Sequence, residues 1–313
     1  LLSVFSFQPF NFSLISFIIL PLLFLIICNI NKRSKNKYRK KPHLINLFYV
    51  GYYFGIGFFL SGTYWISHSL EFDENFKNLI PVTIILIPLV LGLFYGIGSL
   101  ACGKYLSNNL SSIFLFCGTF SLIDYLRAKI FSGFPWNIWA YSWSWFTEII
   151  QILNPFGLFA FNLLTLTFFS LPAIFFVQKF KNKRIVFTIF IALFFCNYLY
   201  GNYTLNNNEK ETLKFIAEKN FINVKIVSPN FDLKYNLSEN EINDRINKLI
   251  RYSGAEKNKK TLFIWPEGVL SGKYFFEMKK FKDLIKKNFS ENHLIIFGVN
   301  TFDNEKKNFF NSF

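Results

Sequence analysis

Thr261-Leu-Phe-Ile-Trp-Pro-Glu-Gly-Val-Leu-Ser-Gly272 is the stretch around which the C-terminal third of this chain is organised. Its apolar run, Leu262 to Trp265, predicts a short buried strand. Pro266 has no N–H to give a ladder, so the strand stops there. Glu267 then falls at the strand's carboxyl end, where open α/β sheets place their chemistry. Gly268 and Gly272 loosen the backbone around it. A carboxylate beside Trp265 and Pro266 is expected to be partly desolvated, which suits it to general-base work. A solvated Glu after a strand explains the same residues equally well, because one residue makes a weak site.

Outward from this stretch, strand and helix alternate. Asn223 to Ser228 reads as a strand. Glu239 to Tyr252 reads as a helix, with Ile242, Ile246, Leu249 and Ile250 on one face and Ser238 as N-cap. Phe275 to Phe289 predicts a second helix, and Leu294 to Val299 a third strand. This β-α-β-α-β order predicts an α/β layered domain with a mainly parallel sheet. Ending just beyond a strand, residues 207–313 read as an α/β domain incomplete at its C-terminus.

The rest of the chain is different. Of 313 residues 52% are hydrophobic and 21% aromatic, with 44 Phe. That is too apolar for one soluble domain and predicts membrane spans. Complete spans are expected at about Phe12–Cys28, Leu44–Ser69, Leu79–Leu106 (kinked at Pro88), Ser111–Ile130, Ile152–Val177 and Ile185–Tyr203. Leu1 to Phe7 reads as the end of a further span. Residues 1–206 are thus expected to form a transmembrane helical domain. Leu at position 1 and a chain that ends in mid-pattern at Phe313 read as a piece of a longer protein.

Charge sets the orientation. The net charge is +15, but a nucleic-acid partner is not expected. Residues 1–206 hold 15 Lys/Arg against 5 Asp/Glu, and residues 207–313 hold 19 against 14. The excess lies mostly in the membrane part, where it reports topology. Taking alternate sides, one set of loops carries Lys32 to Lys41, Lys104 and Lys179 to Arg184 with no acid. The other carries Lys77, Arg127 and Lys129 against Glu71, Asp73, Glu74 and Glu148. The positive-inside rule puts the first set in the cytoplasm. Residues 207–313 are then periplasmic or extracellular.

On that outer side lies Ser132-Gly-Phe-Pro-Trp-Asn-Ile-Trp-Ala-Tyr-Ser-Trp-Ser-Trp145. An aromatic belt at headgroup level accounts for it; so does an interfacial lip that admits a lipid chain. Asp124 and Arg127 share a helical face near the outer end of the fourth span. They read either as snorkelling anchors or as an intramembrane site. Cys28, Cys102, Cys117 and Cys196 all fall in or against apolar segments and read as small packing residues. No CxxC or Cys/His cluster suggests a metal, and no cofactor is expected. No Gly-x-Ser-x-Gly and no phosphate loop of Walker type occurs. No internal repeat of the transporter kind is visible.

Phe5-Ser-Phe-Gln-Pro9, Gly62-Thr-Tyr-Trp-Ile66, Asp124-Tyr-Leu-Arg127, Ser132-Gly-Phe-Pro-Trp136, Tyr141-Ser142, Asn154-Pro-Phe-Gly157 with Asn162, Val227-Ser-Pro-Asn230 and Phe263-Ile-Trp-Pro-Glu267 together resemble the apolipoprotein N-acyltransferase family. Gly298 and Phe310-Asn-Ser312 resemble its later landmarks. Trp-Pro-Glu alone is shared with other nitrilase relatives; downstream of Gly-Phe-Pro-Trp and several spans it is far more specific. The resemblance implies a polytopic α-helical membrane domain followed by a partial α/β nitrilase-like domain, an αββα sandwich. It implies a bacterial inner-membrane, multi-pass enzyme with residues 207–313 in the periplasm, acting as a monomer. The implied reaction moves an acyl chain from a phospholipid to the N-terminal amine of a diacylglyceryl-cysteine lipoprotein through an acyl-thioester.

The resemblance also implies a Glu-Lys-Cys triad, with Glu267 as general base. The family's Lys and Cys lie beyond the point matching Phe313, so the chain alone is expected to be inactive. Tyr235 stands where the family usually has a Trp in a mobile loop over the site. Asn311 matches a family Asn, and sheet packing explains it as well as substrate contact. Two other classes fit less of the chain: a membrane-anchored nitrilase or amidase-type hydrolase, and a non-catalytic membrane protein with an external domain.

Overall fold

The computed structural model describes residues 1–313 apart from 36–40, 73, 131–132, 178–180, 218–221, 233, 235–236, 271–273, 304–307 and 313. The chain divides into two compact units, Leu1–Lys210 and Glu211–Phe313.

The first unit is helical: α1 (Ser16–Lys35), α2 (Lys41–Thr63), α3 (Ile80–Gly103), α4 (Leu110–Lys129), α5 (Thr147–Ile150), α6 (Leu153–Ser170) and all but the last seven residues of α7 (Lys183–Ala217). Six helices among the described residues are long and apolar enough to cross a membrane, and α3 runs unbroken through Pro88. A short 3-10 helix, Leu2–Ser6, ends in a turn at Gln8-Pro9, and Asn11 takes a left-handed φ of 55°. The Ser6 hydroxyl sits 2.7 Å from that of Ser16 at the start of α1, fastening the segment to the bundle.

α2 and α3 pack against each other through glycines. A Cβ on Gly51 would lie 2.3 Å from the Tyr95 carbonyl, so only glycine lets the two backbones come this close. Around this seam the core is aromatic: Phe24, Phe58, Phe59, Tyr95, Phe116, Phe120, Trp139 and Phe169 are all buried. The helix α7 does not stop at Tyr203 but continues to Ala217, because the polar residues beyond the apolar run are themselves compatible with helix. Cys28, Cys102 and Cys117 are buried as packing residues, whereas Cys196 on α7 is exposed.

The second unit holds β1 (Asn223–Ile226), α8 (Glu239–Ser253), β2 (Thr261–Ile264), a 3-10 helix (Phe275–Phe281), α9 (Lys282–Asn288) and β3 (His293–Ile296). The three strands form one parallel sheet in the order β1-β2-β3, with Ile226, Ile264 and Ile296 in register. The helix expected over Phe275–Phe289 is therefore split into a 3-10 turn and a short α-helix. Ser238 caps α8 by accepting from the Glu241 N–H, and Glu241 returns a bond to the Ser238 N–H at 2.9 Å. Ile242, Ile246 and Leu249 of α8 are buried, as are Val227, Phe263, Trp265, Phe281 and Phe289, which form this unit's core. β4 (Val299–Asp303) and β5 (Asn308–Ser312) add an antiparallel hairpin that the pattern of apolar residues does not announce.

Candidate functional site

In the second unit the site is built at the carboxyl end of β2, the central strand. Strand alternation turns Phe263 and Trp265 into the core, and the Trp265 indole donates to the Ser253 hydroxyl at 3.0 Å. After Pro266 the chain enters a turn that Gly268 permits with a φ of 71°. Glu267 lies in that turn and is solvent-exposed. The expected desolvation by Trp265 does not occur, because the indole faces inward while the turn carries Glu267 outward.

One residue that periodicity alone did not single out ties this turn down. Arg245 of α8 donates to the Val269 carbonyl at 2.9 Å and to the Asp232 carbonyl at 2.6 Å, with its guanidinium 4.9 Å from the centre of the Phe231 ring. One side chain therefore links the Glu267 turn to the loop that follows β1. Tyr235, farther along that loop, lies outside the described residues. Asn311 lies in β5, where its backbone pairs with Asn300. Asn300 in turn bridges Tyr274 on the segment leaving the Glu267 turn.

The first unit carries a separate polar centre, near the C-terminal end of α4. Asp124 and Arg127 are 0% and 1% exposed, so neither snorkels. Arg127 Nη2 donates to Asp124 Oδ1 at 3.2 Å, and Nη1 donates to the carbonyls of Phe134 and Trp136 at 2.6 and 2.7 Å. Asn162 Nδ2 donates to Asp124 Oδ2 at 3.0 Å, while its Oδ1 accepts from the Ala140 N–H at 3.0 Å. Trp139 Nε1 donates to the Tyr95 hydroxyl at 3.0 Å, and that hydroxyl reaches Asp124 at 3.5 Å. Phe59 lies 5.0 Å beneath the guanidinium.

This network does not resemble an exposed catalytic pair. It is a clamp, because its outward bonds go to backbone groups of the loop at 134–140. The buried guanidinium donating to two carbonyls fixes where the loop sits by direction as well as by contact. The sequence showed Asp124 and Arg127 as a pair three residues apart. Tyr95 and Trp139 carried no separate signal, since each sits in a run rich in aromatics. The loop they hold is divided: Trp139 and Trp143 are buried, while Trp136 and Trp145 are exposed. It is part core and part rim.

A helical bundle of membrane-crossing length, followed by a parallel α/β unit with a carboxylate at its central strand tip, defines the class: a multi-pass membrane protein joined to a layered α/β unit. The model of the apolipoprotein N-acyltransferase N-terminal domain matches residues 1–171, and the chain belongs to the apolipoprotein N-acyltransferase family. Among similar proteins named apolipoprotein N-acyltransferase, that of Brucella melitensis biotype 1 is 30% identical over 223 residues, 70% of this chain and 41% of the relative. Those of Brucella suis biovar 1 and Rickettsia bellii are each 28% identical, over 83% and 82% of this chain and 48% and 50% of the relatives. The chain spans about half the length of the curated relatives it matches.

Proposed function

We propose that the protein to which this chain belongs transfers an acyl chain from a phospholipid to the N-terminal amine of a diacylglyceryl-cysteine lipoprotein. Glu267 acts as general base. It takes a proton from a cysteine thiol; the thiolate attacks the phospholipid ester, forming an acyl-thioester and releasing the lysophospholipid alcohol. The lipoprotein amine then attacks the thioester, forming the amide and returning the thiol. The family's Lys stabilises the oxyanion of each tetrahedral intermediate. Neither that Lys nor the Cys is assigned to a residue of this chain; the four cysteines present belong to the membrane unit.

What supports this reading is the position of Glu267 at the carboxyl end of the middle strand of a parallel sheet, in a chain that belongs to the acyltransferase family. In the same reading Tyr235 and Asn311 contact substrate. The α/β unit is the first part of a nitrilase-like αββα sandwich, and it stands on the periplasmic side of a bacterial inner membrane. The protein acts as a monomer.

The test is Glu267→Gln in the gene product as its own cell makes it. The amide keeps the shape and removes the base. Acyl-enzyme formation, read by intact mass after mixing with phospholipid, is expected to fall by about 10²–10⁴-fold. Acyl-enzyme accumulating at the unchanged rate overturns the role given to Glu267.

A further inference from the structure

One helix of the α/β unit grips the chain on both sides of Glu267. The buried stripe of α8, Ile242, Ile246 and Leu249, lies in the unit's core. Arg245 and Ser253 fall on the same helical face, three residues after Ile242 and four after Leu249. Two residues before Glu267, the Trp265 indole donates to the buried Ser253 hydroxyl at 3.0 Å, and that hydroxyl donates to the Leu249 carbonyl at 2.8 Å. Two residues after Glu267, the Val269 carbonyl accepts from Arg245 Nη1 at 2.9 Å. Between the two fastenings stand Pro266, Glu267 and Gly268.

The fastenings differ in kind. Upstream, Trp265 is held twice, because its backbone N–H also closes the ladder on the Ile296 carbonyl at 2.9 Å. Downstream, Pro266 has no N–H to offer, and Gly268 turns the chain with a φ of 71°. Val269 and Leu270 are buried, which sets the depth of the turn. Apolar burial has no preferred direction. The bond from Arg245 supplies one. The same guanidinium braces itself against the loop after β1: Nη2 donates to the Asp232 carbonyl at 2.6 Å, and the group lies 4.9 Å from the centre of the Phe231 ring. That loop is itself tied to α8, through Lys234 Nζ and the Glu241 carboxylate at 2.5 Å. A planar fork serves two carbonyls at once in fixed geometry, which the single ammonium of a lysine does not.

We propose that Arg245 is a positioning residue for Glu267. It aims the carboxylate by fixing the carbonyl two residues downstream, and it acts through the turn. This deepens the general-base role given to Glu267 and rests on it. A general base works only within hydrogen-bond reach of the proton it takes. Glu267 is solvent-exposed, so its reach begins from wherever the backbone of the turn is held. A turn that loses its downstream fastening keeps its buried Val269 and Leu270 and loses its aim.

The experiment uses the gene product as its own cell makes it, mixed with phospholipid, with acyl-enzyme followed by intact mass. Arg245→Met keeps an apolar stem and removes both donors. It should slow acyl-enzyme formation at saturating phospholipid by about 10–10²-fold, the scale of a small misplacement of a reacting group. The phospholipid concentration giving half the maximal rate should not change. Arg245→Lys should fall between Arg245→Met and the unaltered protein. The deciding comparison is made in Glu267→Gln, followed over long time courses. There, adding Arg245→Met should cost nothing more, because a residue that acts only through the base has no effect once the base is gone. A general loss of folded enzyme would slow both backgrounds alike. An unaltered rate in Arg245→Met overturns the proposal. So does the full additional loss in Glu267→Gln, or a change confined to the half-saturating concentration; in each case the role of Glu267 stands. If Glu267→Gln by itself forms acyl-enzyme at the unaltered rate, the general-base reading fails first and takes this proposal with it. If Arg245→Met fails to fold, Arg245→Lys decides by the same comparison.

Discussion

At the scale of single residues, the strongest commitments are Arg127 and Arg245. Both are cations whose work is to hold backbone carbonyls. Arg127 is buried with Asp124 and has three bonded partners, Asp124 and the carbonyls of Phe134 and Trp136. Removing one member of a buried pair leaves the other charged and unpaired, which costs about 3–5 kcal/mol. Arg127→Gln should therefore lower the thermal midpoint in detergent sharply. The double change Arg127→Met with Asp124→Leu should recover only part of the loss, because the Phe134 and Trp136 carbonyls stay unserved. A midpoint for Arg127→Gln equal to that of the unaltered chain would show that the clamp contributes nothing. Asp124 reads equally well as an anchor or as a site from spacing alone, because a three-residue interval fixes a helical face and says nothing of what covers it.

Among the elements, α8 is the best specified by its own sequence. Ser238, Glu241 and Gly254 supply both ends, and Gly254 closes the helix with a φ of 51°. A hydrogen bond from Lys234 at 2.5 Å, aided by Ser238, holds the exposed Glu241 carboxyl at about 2, below its ordinary 4.5. A carboxylate held low contributes stability that is complete above its ordinary value and lost as pH falls through its folded value. The start of α8 should thus weaken between about pH 4.5 and pH 2. Amide protection factors in its first turn should drop across that window in the unaltered chain. In Glu241→Gln they should stay flat, and equal slopes would remove the carboxylate from the account. The 3-10 turn over Phe275–Phe281 was not legible, because its apolar spacing fits α-helix equally and only contact with the rest of the unit tightens it.

For the molecule as a whole, the two units differ in what they leave exposed. The membrane unit shows apolar side chains outward, as lipid demands. The α/β unit also leaves one sheet face open: Val224 and Ile226 are 56% and 75% exposed, and Leu294 is 69%. A face of that kind belongs against another apolar layer, in keeping with the proposed sandwich. Orientation is testable directly, because residues 207–313 contain no cysteine. Lys257→Cys should react with a membrane-impermeant maleimide in intact spheroplasts, and a cysteine at Lys104 only after lysis. The reverse pattern would invert the assignment made from loop charge.

The sequence by itself determined the spans, the charge bias between loops, the β-α-β-α-β order and the cap of α8. Each is written in a local pattern: an apolar run, a count of lysines, a period of two or 3.6, a Ser three residues before a Glu. Only the tertiary structure decided that Asp124 and Arg127 clamp the aromatic loop, that Arg245 joins the β1 loop to the Glu267 turn, and that Glu267 stands in solvent. Those facts depend on which backbone carbonyl arrives beside which side chain. That is set by helices and loops distant in sequence packing together, and no window of neighbouring residues carries it.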